Sequence, residues 1–177
     1  MFRKFLLLSF SILFFISCQD SEINYVNQAD NVQRYNSQIF EKITVSENIR
    51  YGVNVTLGGA ASGLSMDVYQ PANDTEIKRP LVVLAHGGSF VSGDKKDLTE
   101  LATFLAKAGY VVASINYRLL DVTPTQLAFK QVVINAVADM KAAVRYFNKD
   151  LAGNNTYKID ASKIFIGGYS AGAITAL

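Results

Sequence analysis

Three short runs of this chain are apolar at nearly every position: residues 80–85, 110–116 and 164–166. A strand with one face in water alternates apolar and polar residues; a strand buried on both faces does not. Each run therefore reads as a strand inside a parallel sheet. Helical patterns lie between them. After the first run, Leu98, Leu101, Ala102, Leu105 and Ala108 fall on one helical face. Asp97 is placed to cap that helix with Glu100 reaching back, and Gly109 suits the C′ position. After the second run, residues 126–147 carry Phe129, Val133, Val137, Met140, Val144 and Phe147 as an apolar stripe, which we assign to core packing. Ahead of all three, residues 49–57 alternate through Tyr51, Val53, Val55 and Leu57. Leu64, Met66 and Val68 alternate toward Pro71 beyond a flexible turn at 58–63, which predicts an antiparallel hairpin. Strands alternating with helices predict an α/β fold, a mainly parallel sheet flanked by helices.

The amino terminus follows a different logic. Arg3 and Lys4 precede an apolar stretch, residues 5–16, that is too short to cross a bilayer as a helix. Residues 1–17 therefore read as a signal peptide, and residues 18–38, polar and rich in Asn and Gln, as a tether. The domain itself is assigned to residues 39–177. Cys18 is the only cysteine, which excludes an internal disulfide framework. With Arg3 and Lys4 set aside, the 17 basic residues become 15, equal to the 15 acidic ones. Such a balanced surface argues against nucleic acid or an anionic bilayer as an electrostatic partner. No paired carboxylates, metal-ligand cluster or phosphate-cradling loop stands out, and no cofactor is expected.

The third apolar run leads directly into Gly168-Tyr169-Ser170-Ala171-Gly172, a G-x-S-x-G sequence. Read as chemistry, this is a strand turning sharply into a helix with the Ser170 hydroxyl at the tip, a nucleophile elbow. Gly168 and Gly172 belong to it because a Cβ at either place would collide with the tight turn or the neighbouring strand. The first apolar run ends in His86-Gly87-Gly88-Ser89-Phe90.

Here the chain resembles the α/β-hydrolase superfamily, in its carboxylesterase and hormone-sensitive-lipase-like branches. These carry an HGGG-type loop at the place of His86, Gly87 and Gly88, with Ser89 standing here for the third glycine. The resemblance extends to Met66-Asp67-Val68-Tyr69-Gln70-Pro71, Asn116-Tyr117-Arg118-Leu119 and residues 138–146. It implies Ser170 as nucleophile and the backbone N–H groups of Gly88, Ser89 and Ala171 as an oxyanion hole. His86 and Gly87 support the loop. His86 is the only histidine, yet in this family pattern the catalytic histidine follows the serine, so His86 is expected to be structural. Arg118 and Asp139 are expected to form an ion pair or a solvated helix charge, and Asp94 and Asp97 to be loop and cap residues.

Phe15-Ile16-Ser17-Cys18 resembles a bacterial lipoprotein signal with Cys18 as the lipidated residue. This implies an exported protein anchored in a membrane of the cell envelope. The implied substrate is a small-molecule or carbohydrate-linked ester. Only seven residues follow Ser170, so the acid and base are expected to lie beyond residue 177, with the carboxy-terminal half of the fold absent and the chain by itself inactive. The competing readings are a catalytically silent binding module of the same fold and an amidase or peptidase of the same superfamily.

Overall fold

The computed structural model describes residues 33–177; the signal-like segment, Cys18 and most of the polar stretch lie outside the described residues. The elements are β1 (Ile43–Val55), β2 (Ala61–Pro71), β3 (Arg79–Ala85), a 3₁₀ turn (Lys95–Leu98), α1 (Thr99–Lys107), β4 (Val111–Ile115), α2 (Gln126–Ala152), β5 (Ile159–Gly168) and α3 (Ala171–Thr175). They build one sheet in the order β1-β2-β4-β3-β5. β3 runs parallel to both β4 and β5, whereas β2 is antiparallel to β1 and to β4. The sheet is therefore mixed, with its parallel part at β4-β3-β5.

One face of the sheet carries the 27-residue α2 and the other the nine-residue α1. Met66, Val68, Leu81, Val83, Ala113 and Ile115 pack against α2 through Val132, Ala136, Met140, Ala143 and Phe147. On the opposite face Tyr69, Leu84 and Val112 meet Leu98, Ala102 and Ala106. Burial of β4 on both faces explains why its run shows no alternation.

Several expectations need correction. The cap of the 3₁₀ turn is Asp94, not Asp97: the Asp94 side chain accepts from Lys96 N–H, and Asp97 reaches back to Asp94 N–H. Glu100 thus lies one turn too late to take part. Leu101 is 45 % exposed, because the inward face of α1 is set by Ala102 and Ala106. The α2 stripe is rotated by about one residue from the expected one, so that Phe129 is partly exposed and Val132, Ala136 and Ala143 are buried. The rotation places Asp139 inside, facing Arg118. α2 also continues to Ala152, past the expected end. In β1 only Tyr51 of the alternating residues is buried; Val53 and Val55 face solvent at the sheet edge. β5 begins at Ile159 rather than Lys163. As the outer strand of the described sheet it leaves Phe165 and Ile166 about half exposed rather than buried.

The last residues of the polar stretch lie against α1. Tyr35 N–H donates to Ala108 O at 2.8 Å, and Arg34 pairs with Asp74. Among the described residues no helix is long and apolar enough to cross a membrane.

Candidate active site

β5 hands over to α3 through Tyr169 and Ser170. Tyr169 N–H donates to Ala85 O at 3.2 Å, so the pairing with β3 persists to the residue before the serine. The reversal from strand to helix is then made at Ser170, whose φ of 52° and ψ of −115° lie outside the ordinary regions for an L-residue. Such a conformation is held only when its surroundings over-determine it. Here the surroundings are backbone. A Cβ on Gly168 would stand 2.5 Å from Ala85 O, and one on Gly172 would overlap the Ala85 carbonyl. Glycine at both positions lets α3 start directly against the end of β3. The Ser170 side chain makes no cap hydrogen bond to its own helix and is exposed.

The glycine loop after β3 lies against this turn. A Cβ on Gly87 would stand 3.4 Å from Ser170 Cβ and 3.2 Å from Tyr169 O. Gly88, Ser89 and Phe90 follow with φ of 106°, 53° and 63°. The turn closes on Gly88 O, which accepts from Val91 and Ser92 N–H at 3.0 and 3.1 Å. Among the described residues, no backbone hydrogen bond of the turns and loops takes up the N–H of Gly88, Ser89 or Ala171. Thus Ser170, Gly87 and the elbow glycines come together, with Gly88, Ser89 and Ala171 next to them in the chain.

His86 is buried and does not serve as a partner to Ser170. Its Nδ1 lies 2.7 Å from Gly87 O. A carbonyl can only accept, so Nδ1 is the donor in this contact. The ring stacks on Tyr117 with centroids 4.4 Å apart, and Tyr117 OH donates to His86 O at 2.8 Å. Nε2 has no partner among the described residues.

Sequence reasoning did not single out Tyr117 for this contact, nor Lys95 and Asp67. Tyr117 stood at the end of an apolar run, which was the available signal. Lys95 and Asp67 form a buried ion pair at 2.9 Å, and neither carries a local mark that would separate it from a solvated charge. Around Asp94, burial opposes ionisation. Hydrogen bonds from Asn116 Nδ2 and Lys96 N–H, with Lys95 and His86 nearby, nevertheless hold its carboxyl below the usual range. Arg118 and Asp139 form the expected ion pair, with Arg118 Nη2 to Asp139 Oδ1 at 2.8 Å. It ties the end of β4 to α2 and, through Val55 O, to β1.

Beside the loop is a cavity of about 310 Å³ lined by Thr56, Ser62, His86, Asn116, Tyr117 and Asp121, among others. A larger groove of about 680 Å³, between β1 and α2, takes in no residue of either motif. Among the described residues, no three imidazole, thiol or carboxylate groups gather as ligands for an ion.

The parallel strands with flanking helices, the strand–serine–helix turn and the glycine loop after the neighbouring strand place the fold in the α/β-hydrolase class. The chain belongs to the BD-FAE family, whose model matches residues 66–177. Among solved structures it is similar to esterase B from Lactobacillus rhamnosis, inhibited by a tributyrin phosphonate. That likeness has 22 % identity and a TM-score of 0.57, over 77 % of this chain and 39 % of the other. A thermophilic esterase from Thermogutta terrifontis matches at 25 % identity and TM-score 0.55, over 72 % and 41 %. A hyperthermophilic esterase from Pyrobaculum calidifontis matches at 27 % identity and TM-score 0.51, over 77 % and 37 %. The chain spans about two fifths of the length of these structures. No curated protein matches it at a significant level.

Proposed function

We propose that this domain belongs to a serine hydrolase acting on carboxylic esters, with Ser170 as the nucleophile. The observation that carries the proposal is the meeting of two strained backbones. Ser170 stands at φ 52° with its Cβ against Gly87, beside a loop whose Gly88 and Ser89 are also left-handed.

Ser170 Oγ attacks the ester carbonyl carbon while a base takes the hydroxyl proton. The carbonyl oxygen becomes an oxyanion and is held by the N–H groups of Gly88, Ser89 and Ala171. Collapse expels the alcohol with the proton and leaves an acyl-serine, which water then cleaves by the same steps in reverse. Main-chain donors cost little reorganisation, and losing one such donor typically lowers turnover by roughly 10²–10³.

The base is a separate question. His86 has its Nδ1 committed to Gly87 O, which supports a role in holding the loop. We place the acid and base in further polypeptide, consistent with the greater length of the solved neighbours. The 177 residues alone are then expected to be silent, because a serine hydroxyl without a proton acceptor is a weak nucleophile. The substrate is proposed to be a small or carbohydrate-linked ester, and Cys18 to carry a lipid anchor that holds the domain at a membrane of the cell envelope. Palmitate labelling that disappears in Cys18→Ala checks the anchor, and an unlabelled mature protein refutes it.

The test of function is hydrolysis of an activated acetyl ester by the full-length natural protein. Turnover should fall to background in Ser170→Ala while folding is kept. Unchanged turnover in that variant would remove Ser170 from the mechanism.

A further inference from the structure

The glycine loop is anchored at its far end by a residue with no part in the chemistry. Lys95 is buried and bound at three points. Its Nζ donates to Asp67 Oδ2 at 2.9 Å, its N–H to Asn116 Oδ1 at 2.6 Å, and its carbonyl accepts from Ser114 Oγ at 2.6 Å. Asp67 is held in turn by Asn48 N–H at 2.7 Å. Asp67 lies on β2 and Ser114 on β4, both in the sheet core, and Asn116 follows β4 directly.

Two residues before Lys95, the backbone of Gly93 lies directly on the start of the loop. A Cβ there would stand 2.6 Å from Gly87 O and 2.7 Å from His86 Cε1. The carbonyl of Gly87 and the N–H of Gly88 belong to one planar trans peptide, so holding one sets the direction of the other. The loop residues between have little local preference for their shape, since Ser89 and Phe90 are both at positive φ.

We propose that the Lys95–Asp67 pair is a positioning element for the oxyanion loop. It fixes Gly93 against His86 and Gly87, and thereby the 87–88 peptide whose N–H faces the reacting carbonyl oxygen. The proposal rests on the reading of Gly88 and Ser89 as oxyanion donors. A directional ion pair suits this task better than an apolar contact. Apolar residues of similar volume commonly fill such a site at equal or lower cost in stability but specify direction less sharply.

The test is hydrogen exchange by NMR on the full-length natural protein. The His86 Nδ1 proton, identified by its loss in His86→Gln, is the first probe. It is followed with the Val91 and Ser92 amides, which bond Gly88 O. Amides of Val83 and Ala113, in the β3–β4 ladder, report the core. The variants are Lys95→Met and the double variant Asp67→Leu with Lys95→Met, in which no charge is left unpaired. Exchange of the His86, Val91 and Ser92 protons should quicken at least about tenfold relative to the ladder amides, in the double variant as well as the single one. Loop and ladder protons changing together, or wild-type exchange in the double variant, would overturn the proposal. Ser170→Ala should leave all these rates unchanged, so a failure of the hydrolase reading shows in turnover and not here.

Discussion

Tyr117 and His86 are joined twice: the phenol hydroxyl donates to the His86 carbonyl at 2.8 Å, and the two rings stack with centroids 4.4 Å apart. The contact pins the first residue of the glycine loop to the end of β4. Tyr117→Phe keeps the stack and leaves a buried carbonyl unpaired. It should cost about 1–2 kcal/mol of stability, read as a lower urea midpoint with unchanged slope. A midpoint equal to that of the parent would mean the bond is replaced or not made.

The same phenol makes stability depend on alkaline pH. Burial pushes the Tyr117 hydroxyl up to about 12. Tyr51 is raised as well, by burial and by the Asp139 charge, and Tyr157 by burial and its bond to Tyr146. A raised folded-state value means the native state holds the proton more tightly than the unfolded chain, where tyrosine titrates near about 10. The contribution is complete below the unfolded value and is lost as pH rises from there through the folded value. Urea midpoints should fall steeply above about pH 10, less steeply in Tyr117→Phe. Equal slopes in both proteins would contradict the assignment to Tyr117.

Gly172 is fixed by space rather than by flexibility. Its Cβ would overlap the Ala85 carbonyl and stand 2.6 Å from His86 O, and backbone on both sides cannot give way. Gly172→Ala should cost at least about 3 kcal/mol, at or beyond the top of the usual range for overpacking. Gly59→Ala is the control: nothing lies within 4 Å of its Cβ, and only the φ of +88° opposes it. That change should cost about 1 kcal/mol. Similar losses at the two sites in chemical denaturation would contradict a steric origin.

Asp139 carries a structural charge. Asp139→Asn would leave the Arg118 guanidinium buried beside a neutral group, and should lose about 3–5 kcal/mol. Replacing both residues with apolar ones should recover a large part of that loss. No recovery in the double variant would show that the bonds from Arg118 to Val55 O and Asn135 O carry the stability instead.

The parallel strands β3 and β4 were legible because they are apolar at successive positions, as strands buried on both faces are, whereas the like run in β5 is half exposed at the sheet edge. The elbow was legible because Gly168, Ser170 and Gly172 follow such a run directly. The facing of α2 was harder to read. Asp139 counts as polar in any periodicity, so its burial rotates the true stripe away from the apparent one. The cap failed for a related reason: Asp94 and Asp97 are both good cap residues, and the choice was made by Asn116 Nδ2, which reaches Asp94 from β4's end. Tertiary contacts of that kind leave no local trace. The Lys95–Asp67 pair is the same case beside the site, two ordinary charges brought from 28 positions apart in sequence into one buried bond.

The most direct measurement is covalent capture of the nucleophile. The full-length natural protein is treated with a fluorophosphonate and the modified peptide identified by mass spectrometry. A single adduct on Ser170 is expected, lost in Ser170→Ala and formed at least about 10²-fold more slowly when an oxyanion donor is displaced. No adduct, or an adduct on Ser89 or another serine, would contradict it.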